Sequence, residues 1–165
     1  MKSPIKLPVL ALLALLSFAS CSTNSIEDEA EALELKLVSQ QAKVIELEIL
    51  NLINDHRLSQ GLSPLEDMSI VKSVAFSHTD YMVDKDEVSH HNFYTRSNYL
   101  KANAGAQQVS ENVAYGYSSA ESVVDAWIKS EAHKDNIEGD FTNFDISAEK
   151  NEEGRWFFTN IFIKK

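Results

Sequence analysis

The last strand-like segment of the chain is apolar on both of its faces, and this pattern restricts the possible folds more than any other feature. The segment reads Trp-Phe-Phe-Thr-Asn-Ile-Phe-Ile and runs from Trp156 to Ile163. Successive side chains of a strand point to opposite sides of its sheet, so apolar residues on both sides need two covering layers. We therefore expect a sheet that lies between two helical layers.

Three helices and two further strands are predicted around this segment from apolar residues at helical spacing and from runs of β-forming residues. The helices are expected at Ile45–Arg57, from Asp67 or Ser69 to Met82, and from the capping motif Ser118–Glu121 to Ser130. The strands are expected at Val109–Tyr117 and Phe144–Ala148, with the second forming a hairpin with Trp156–Ile163.

The first twenty residues are typical of an export signal. Two lysines precede the apolar run Leu7–Phe18, whose length of about twelve residues is well below the roughly 20 residues of a transmembrane helix. The stretch Ser17-Phe18-Ala19-Ser20-Cys21 resembles the lipobox of bacterial lipoproteins, in which the cysteine is lipidated after cleavage in front of it. We expect residues 1–20 to be a lipoprotein signal peptide and Cys21 to anchor the protein to a membrane. The alternative is an ordinary signal peptide followed by an unmodified cysteine.

Residues 21–43 are predicted to form an acidic helical tether, which leaves residues 44–165 as the globular domain. The tether is rich in helix-favouring residues, and apolar residues recur at alternating spacings of four and three. These residues are Ile26, Ala30, Leu33, Leu37, Val44 and Leu47. The pattern fits a short coiled coil, but Gln40 interrupts it, and a solvated stalk is favoured. We accordingly expect a monomer.

The composition excludes several classes of function. Aspartate and glutamate number 25 against 15 lysines and arginines, and the net charge of −10 argues against binding of nucleic acid. A single cysteine rules out an internal disulfide framework and any multi-cysteine metal site. The chain contains no Gly-x-Ser-x-Gly elbow, His-Glu-x-x-His pair or glycine-rich phosphate loop.

The remaining candidates for chemistry are polar residues near the ends of predicted elements. These are His90, His91, Glu111 and His133. His78 lies on the apolar stripe of the second helix and is interpreted as a hydrogen-bonded core histidine. His56 lies near the end of the first helix and is interpreted as structural.

Five motifs occur in an order and at spacings that resemble one known family. They are Leu50–Arg57, Ser77–Met82, Val88-Ser89-His90, Ser110-Glu111-Asn112-Val113-Ala114 and Ala126–Ile137. Together they resemble the CAP superfamily of cysteine-rich secretory, antigen 5 and pathogenesis-related proteins, in its bacterial SCP-like form. The resemblance extends over about Ile45 to Ile163 and implies an α+β fold, a three-layer α-β-α sandwich with a central antiparallel sheet.

The resemblance also implies a cleft with two histidines and acidic residues. His90 and His133 match the histidines that can hold zinc or another divalent cation, and Glu111 matches the acid that ligates, orients a histidine or acts as a base. His91 leaves the first assignment open by one residue. Glu131 is a further candidate, because many relatives have a glutamate at the position of Ser130.

Three functions are compatible with this cleft. The favoured one is a non-enzymatic, lipid-anchored protein of the bacterial cell envelope that binds a lipid, a peptide or an envelope polymer, with a weak cation site. The alternative is a metal-assisted hydrolase of envelope peptide or polymer, with Glu111 as the base. The third is a structural spacer with a vestigial site.

Overall fold

The computed structural model describes residues 42–165. The expectations for the signal peptide, for Cys21 and for most of the tether lie outside the described residues. In chain order the elements are α1 (Val44–Ser59), β1 (Glu66–Asp67), α2 (Ser69–Lys85), α3 (Phe93–Ala104), β2 (Gln108–Tyr115), α4 (Ala120–Lys129), α5 (Glu131–Ile137), β3 (Asn143–Lys150) and β4 (Trp156–Lys164). No helix within residues 42–165 has the length and apolar character that crossing a membrane requires.

The strands form one sheet in the order β1-β3-β4-β2. β4 pairs antiparallel with both β3 and β2, and its register places Asn160 between Ile146 and Asn112. The two-residue β1 pairs parallel with β3, so the sheet is mixed, although its three long strands are antiparallel as predicted. Residues 157–163 of β4 are all buried, which agrees with a central strand that is covered on both faces.

Alternate residues of β4 pack into different helical layers. Phe158 and Phe162 belong to a core cluster that includes residues of α1, α4 and α5, whereas Ile161 and Ile163 belong to a cluster that includes residues of α2 and α3. Each helix contributes apolar side chains to only one of these two clusters. The three-layer α-β-α sandwich expected from the sequence is therefore confirmed.

The predicted helices form close to their expected limits. Gly61 follows α1 with a φ of +74°, a backbone conformation that glycine adopts without strain. α4 is capped by Ser119, whose side chain accepts a hydrogen bond from the backbone N–H of Ser122, so the cap lies one residue later than the spacing of Ser118 and Glu121 predicts. Both α3 and α5 were missed by the sequence patterns, and these two helices turn out to border the site.

Candidate functional site

Glu111 is the buried centre of the site. It lies on β2, one residue before Asn112, and its side chain is turned toward α2 and α3. Arg96 of α3 holds it with two hydrogen bonds, from Nε to Oε2 at 2.8 Å and from Nη2 to Oε1 at 2.7 Å. His90 contacts the same Oε1 through Nδ1 at 2.9 Å. Both carboxylate oxygens are thus occupied by residues of this chain.

The neighbours of Glu111 keep its carboxyl group ionised. Burial on its own would raise the pKa, but the hydrogen bonds from His90 and Arg96 and the positive charge of Arg96 lower it below the ordinary value. Because an ionised carboxylate only accepts hydrogen bonds, the Nδ1 atom of His90 must carry a proton and donate it. A neutral His90 therefore has a free lone pair on Nε2.

His90 and His91 have different surroundings, and this difference separates the two candidates. The His90 side chain is about half exposed, at 51%, and contacts Glu111. The ring of His91 stacks on Tyr81 with a centroid separation of 5.3 Å, and only its backbone carbonyl joins the network, by accepting a hydrogen bond from Nη1 of Arg96. Of the two histidines, the structure places His90 against Glu111.

His78 is a buried residue of α2. Its Nε2 atom donates to the carbonyl oxygen of Ser89 at 2.7 Å, as expected for a hydrogen-bonded core histidine. The same atom is also 3.9 Å from Oε1 of Glu111. Burial, followed by the charge of Arg96, lowers the pKa of His78 to about 4, so the ring is neutral at pH 7 and this approach is not an ion pair.

His133 enters the site from α5. Its Nδ1 atom is 2.9 Å from Oγ of Ser130, and its backbone carbonyl accepts a hydrogen bond from Nδ2 of Asn112 at 3.0 Å. Asn136 extends this link by donating from Nδ2 to Oδ1 of Asn112 at 2.8 Å. Burial lowers the pKa of His133, and the nearby His90 lowers it further.

The other candidates have simpler surroundings. Glu131 is exposed at the first position of α5, and its carboxylate makes no hydrogen bond or ion pair with another residue in 42–165. His56 pairs through Nε2 with Oε1 of Glu138 at 2.9 Å, which joins α1 to the end of α5 and agrees with a structural role.

The donor set limits what the site could hold. Within residues 42–165, no group of three or more histidine, cysteine, aspartate or glutamate side chains is arranged to bind a metal ion. Glu111 is engaged by Arg96, which leaves two imidazoles as possible ligands. Two imidazoles suit a weakly held divalent cation but fall short of the three protein ligands usual in catalytic zinc sites.

Arg96, which holds the Glu111 carboxylate, was missed by the sequence patterns. It lies on a helix with only two buried apolar residues, Leu100 and Ala104, so in the sequence it resembles an ordinary surface arginine. A usable signal was its position between two candidate residues, because a buried carboxylate such as Glu111 requires a cation close by.

Comparisons with known proteins agree with this fold. The model of the family described as "CAP: Cysteine-rich secretory protein family" matches residues 50–162. The Bacillus subtilis protein YlbC, described as an uncharacterized membrane protein, is 31% identical over 124 residues, which are 73% of this chain and 34% of that protein. The chain thus spans about a third of the length of this relative.

Two solved bacterial structures are similar, each with a TM-score of 0.64. An extracellular protein of Bacillus anthracis that contains a SCP domain is 27% identical, and the match covers 73% of this chain and 40% of that one. An outer surface protein of Borrelia burgdorferi is 21% identical, and the match covers 71% of this chain and 90% of that one. The family match over residues 50–162, together with the three-layer fold, establishes that the chain belongs to the CAP family of cysteine-rich secretory proteins.

Proposed function

We propose that the protein is an exported, lipid-anchored CAP-domain protein that binds a ligand in the cleft around His90 and His133. The observation that carries this proposal is the complete occupation of the Glu111 carboxylate by Arg96 and His90. A carboxylate held in this way orients a histidine, as carboxylates behind metal-binding histidines commonly do. His90 then offers Nε2 to a ligand or to a divalent cation such as zinc.

This arrangement supports binding rather than hydrolysis. A general base works best when its pKa lies near the working pH, whereas the pKa of Glu111 is lowered and its oxygens already accept hydrogen bonds. A ligand in the cleft would meet the half-exposed His90 and the partly buried His133. A lipid, a peptide or an envelope polymer could each supply polar groups for these two imidazoles.

Zinc is expected to raise the melting temperature of the protein at neutral pH if His90 and His133 hold a cation together. At a concentration 100 times Kd, a ligand of the native state stabilises by about 2.7 kcal/mol. The zinc-dependent rise in melting temperature should shrink as the pH falls, because a protonated imidazole cannot bind a metal ion. For His133 this loss should occur below the ordinary value of 6.5, since burial lowers its pKa. Thermal unfolding with and without zinc, measured across this pH range, checks the prediction.

Single substitutions identify the ligands. His90→Ala or His133→Ala should remove most of the zinc gain, whereas His91→Ala should retain it because that ring stacks on Tyr81. His78→Ala should destabilise the metal-free protein and leave the zinc increment nearly intact. The absence of any shift at millimolar zinc would contradict a cation site and favour the structural spacer.

The lipid anchor has a separate test. In cells supplied with a fatty-acid probe, the wild-type protein should be labelled and Cys21→Ser should lose the label, because Cys21 is the single cysteine of the chain. Ser22→Ala serves as the matched control and should keep the label. Equal labelling of wild type and Cys21→Ser would rule out acylation at this residue.

A further inference from the structure

The helix that carries His133 has little apolar packing of its own. α5 has seven residues, of which Ile137 alone is buried. Helices shorter than about 12 residues are marginal in water unless other parts of the protein hold them. The first end of α5 continues directly from α4, because Ser130 is the residue that joins the two helices. The direction of α5, and with it the position of His133, therefore depends on what holds its second end.

Arg57 of α1 holds that second end. Its Nη1 atom donates to the carbonyl oxygen of Ile137 at 2.6 Å and to that of Gly139 at 2.9 Å. Its Nε atom donates to the carbonyl oxygen of Ser63 at 2.8 Å. The last carbonyls of a helix have no partner within the helix, so a side-chain donor that bonds them fixes the helix end. One guanidinium thus joins the end of α5 to α1 and to the loop that follows α1.

The hydrogen bonds of Arg57 are strong because of where they lie. Arg57 is 3% exposed, and within residues 42–165 its side chain bonds only to these three backbone carbonyls. Hydrogen bonds from a charged donor are stronger than those from a neutral donor, and water does not compete for them when they are buried. The pair of His56 and Glu138 also joins α1 to the end of α5, but these side chains are 16% and 32% exposed, which weakens the pair.

We propose that Arg57 is a positioning residue for His133, which acts through the carbonyls at the end of α5 and fixes the direction of the imidazole in the cleft. The inference rests on the proposed function, because a fixed direction matters only where His133 binds a ligand. A ligand or cation shared by His90 and His133 requires both rings in a set geometry. Groups that support a metal-binding histidine commonly change the affinity by about 10–100-fold when they are removed. Arg57 therefore affects binding in the cleft without contacting the ligand.

NMR spectroscopy of the full chain without metal tests this role. Arg57→Met retains much of the side-chain volume and removes all three hydrogen bonds. The backbone amides of residues 134–138 should then exchange faster with solvent, and the ring signals of His133 should shift while those of His90 stay in place. Wild-type exchange and wild-type ring signals in Arg57→Met would overturn the proposal.

Lys72→Met is the matched control, because it also removes a buried cation that donates to a backbone carbonyl. Lys72 is 7% exposed, pairs with Glu46 and donates from Nζ to the carbonyl oxygen of Ile146 on β3. Its loss should lower the denaturant midpoint of the full chain and leave the ring signals of His133 unchanged. Equal shifts of the His133 signals in Lys72→Met and Arg57→Met would show a general loss of stability and would overturn the proposal.

A milder variant covers the case in which Arg57→Met does not fold. Arg57→Lys keeps the buried charge but replaces the planar fork with a single nitrogen atom. One nitrogen cannot occupy the positions of both Nε and Nη1, so it cannot bond Ser63 and the two carbonyls at the end of α5 together. The same changes in exchange and in the His133 signals should appear at smaller size. Their absence from Arg57→Lys would contradict the positioning role.

Zinc titration of the same proteins separates this proposal from the proposed function. Zinc should bind Arg57→Met at least about tenfold more weakly than the wild type, and it should bind Lys72→Met as it binds the wild type. Equal zinc affinity of Arg57→Met and the wild type would overturn the role of Arg57 and leave the cation site intact. A wild type that binds no zinc would instead contradict the cation site, and the metal-free exchange and ring signals would then decide the role of Arg57.

Discussion

Replacing Arg96 with methionine is expected to destabilise the protein by about 3–5 kcal/mol, because the change leaves a buried carboxylate without its main partner. The side chains of Arg96 and Glu111 are 4% and 1% exposed, so water cannot take over the lost hydrogen bonds. Among residues 42–165, His90 would remain as the only side chain that donates a hydrogen bond to the Glu111 carboxylate. Chemical unfolding at pH 7 measures the loss.

A second substitution should restore much of that stability. Removing both members of a buried ion pair costs far less than removing one, so Arg96→Met combined with Glu111→Leu should be more stable than Arg96→Met alone. The matched control is Lys129→Ala, which breaks an exposed pair with Asp125 and should change stability by less than about 1 kcal/mol. A free energy of unfolding for Arg96→Met within about 1 kcal/mol of wild type would mean that Arg96 does not hold Glu111.

Asp145 is expected to make the protein less stable as the pH rises from about 4 to 7. This residue of β3 is buried, and burial raises the pKa of its carboxyl to about 6 from an ordinary 3.8. Hydrogen bonds from the backbone N–H groups of Ile146 and Met68 and the charge of Lys72 oppose the rise, while Asp67 adds to it. Because the pKa is higher in the folded protein, the stabilising contribution is complete below about pH 4 and is lost as the pH rises through about 6.

The size of the effect follows from the two pKa values and amounts to roughly 3 kcal/mol. Other carboxyl groups, such as Glu111, act in the opposite direction, so the difference between wild type and Asp145→Asn isolates this residue. Between pH 4 and 7, the free energy of unfolding of the wild type should fall by up to roughly 3 kcal/mol relative to that of Asp145→Asn. Asp125→Asn, an exposed control, should give a curve parallel to the wild type. A parallel curve for Asp145→Asn would contradict the prediction.

The parts of the fold that have strong sequence patterns were predictable. The two apolar faces of β4 indicated the three layers, and the apolar stripe of α1 indicated a helix against the sheet. α3 was missed because only four of its twelve residues are buried, and two of these four, Arg96 and Ser97, are polar, so no apolar stripe forms. Gly105, which ends α3 with a φ of +71°, was the available signal. α5 was missed because a helix of seven residues with one buried residue has no measurable periodicity.

The site was predictable only where motifs marked it. The resemblance identified His90, Glu111 and His133, and the structure brings His90 onto Glu111. Arg96 holds Glu111 in place, and no motif marked it. A buried ion pair depends on which segments meet in three dimensions, and spacing along the chain carries little of that information.

The buried pair of Arg96 and Glu111 also affects how a cation would reach the cleft. These two charges cancel, and His78 is neutral, so the floor of the cleft has almost no net charge of its own. The whole chain nevertheless carries a net charge of −10. The long-range attraction of a cation must therefore come from the acidic surface of the protein. Salt screens the field of that surface over about 8 Å at physiological ionic strength. Added salt would accordingly slow the arrival of a cation, while its rate of departure, set by contacts within the cleft, would change little.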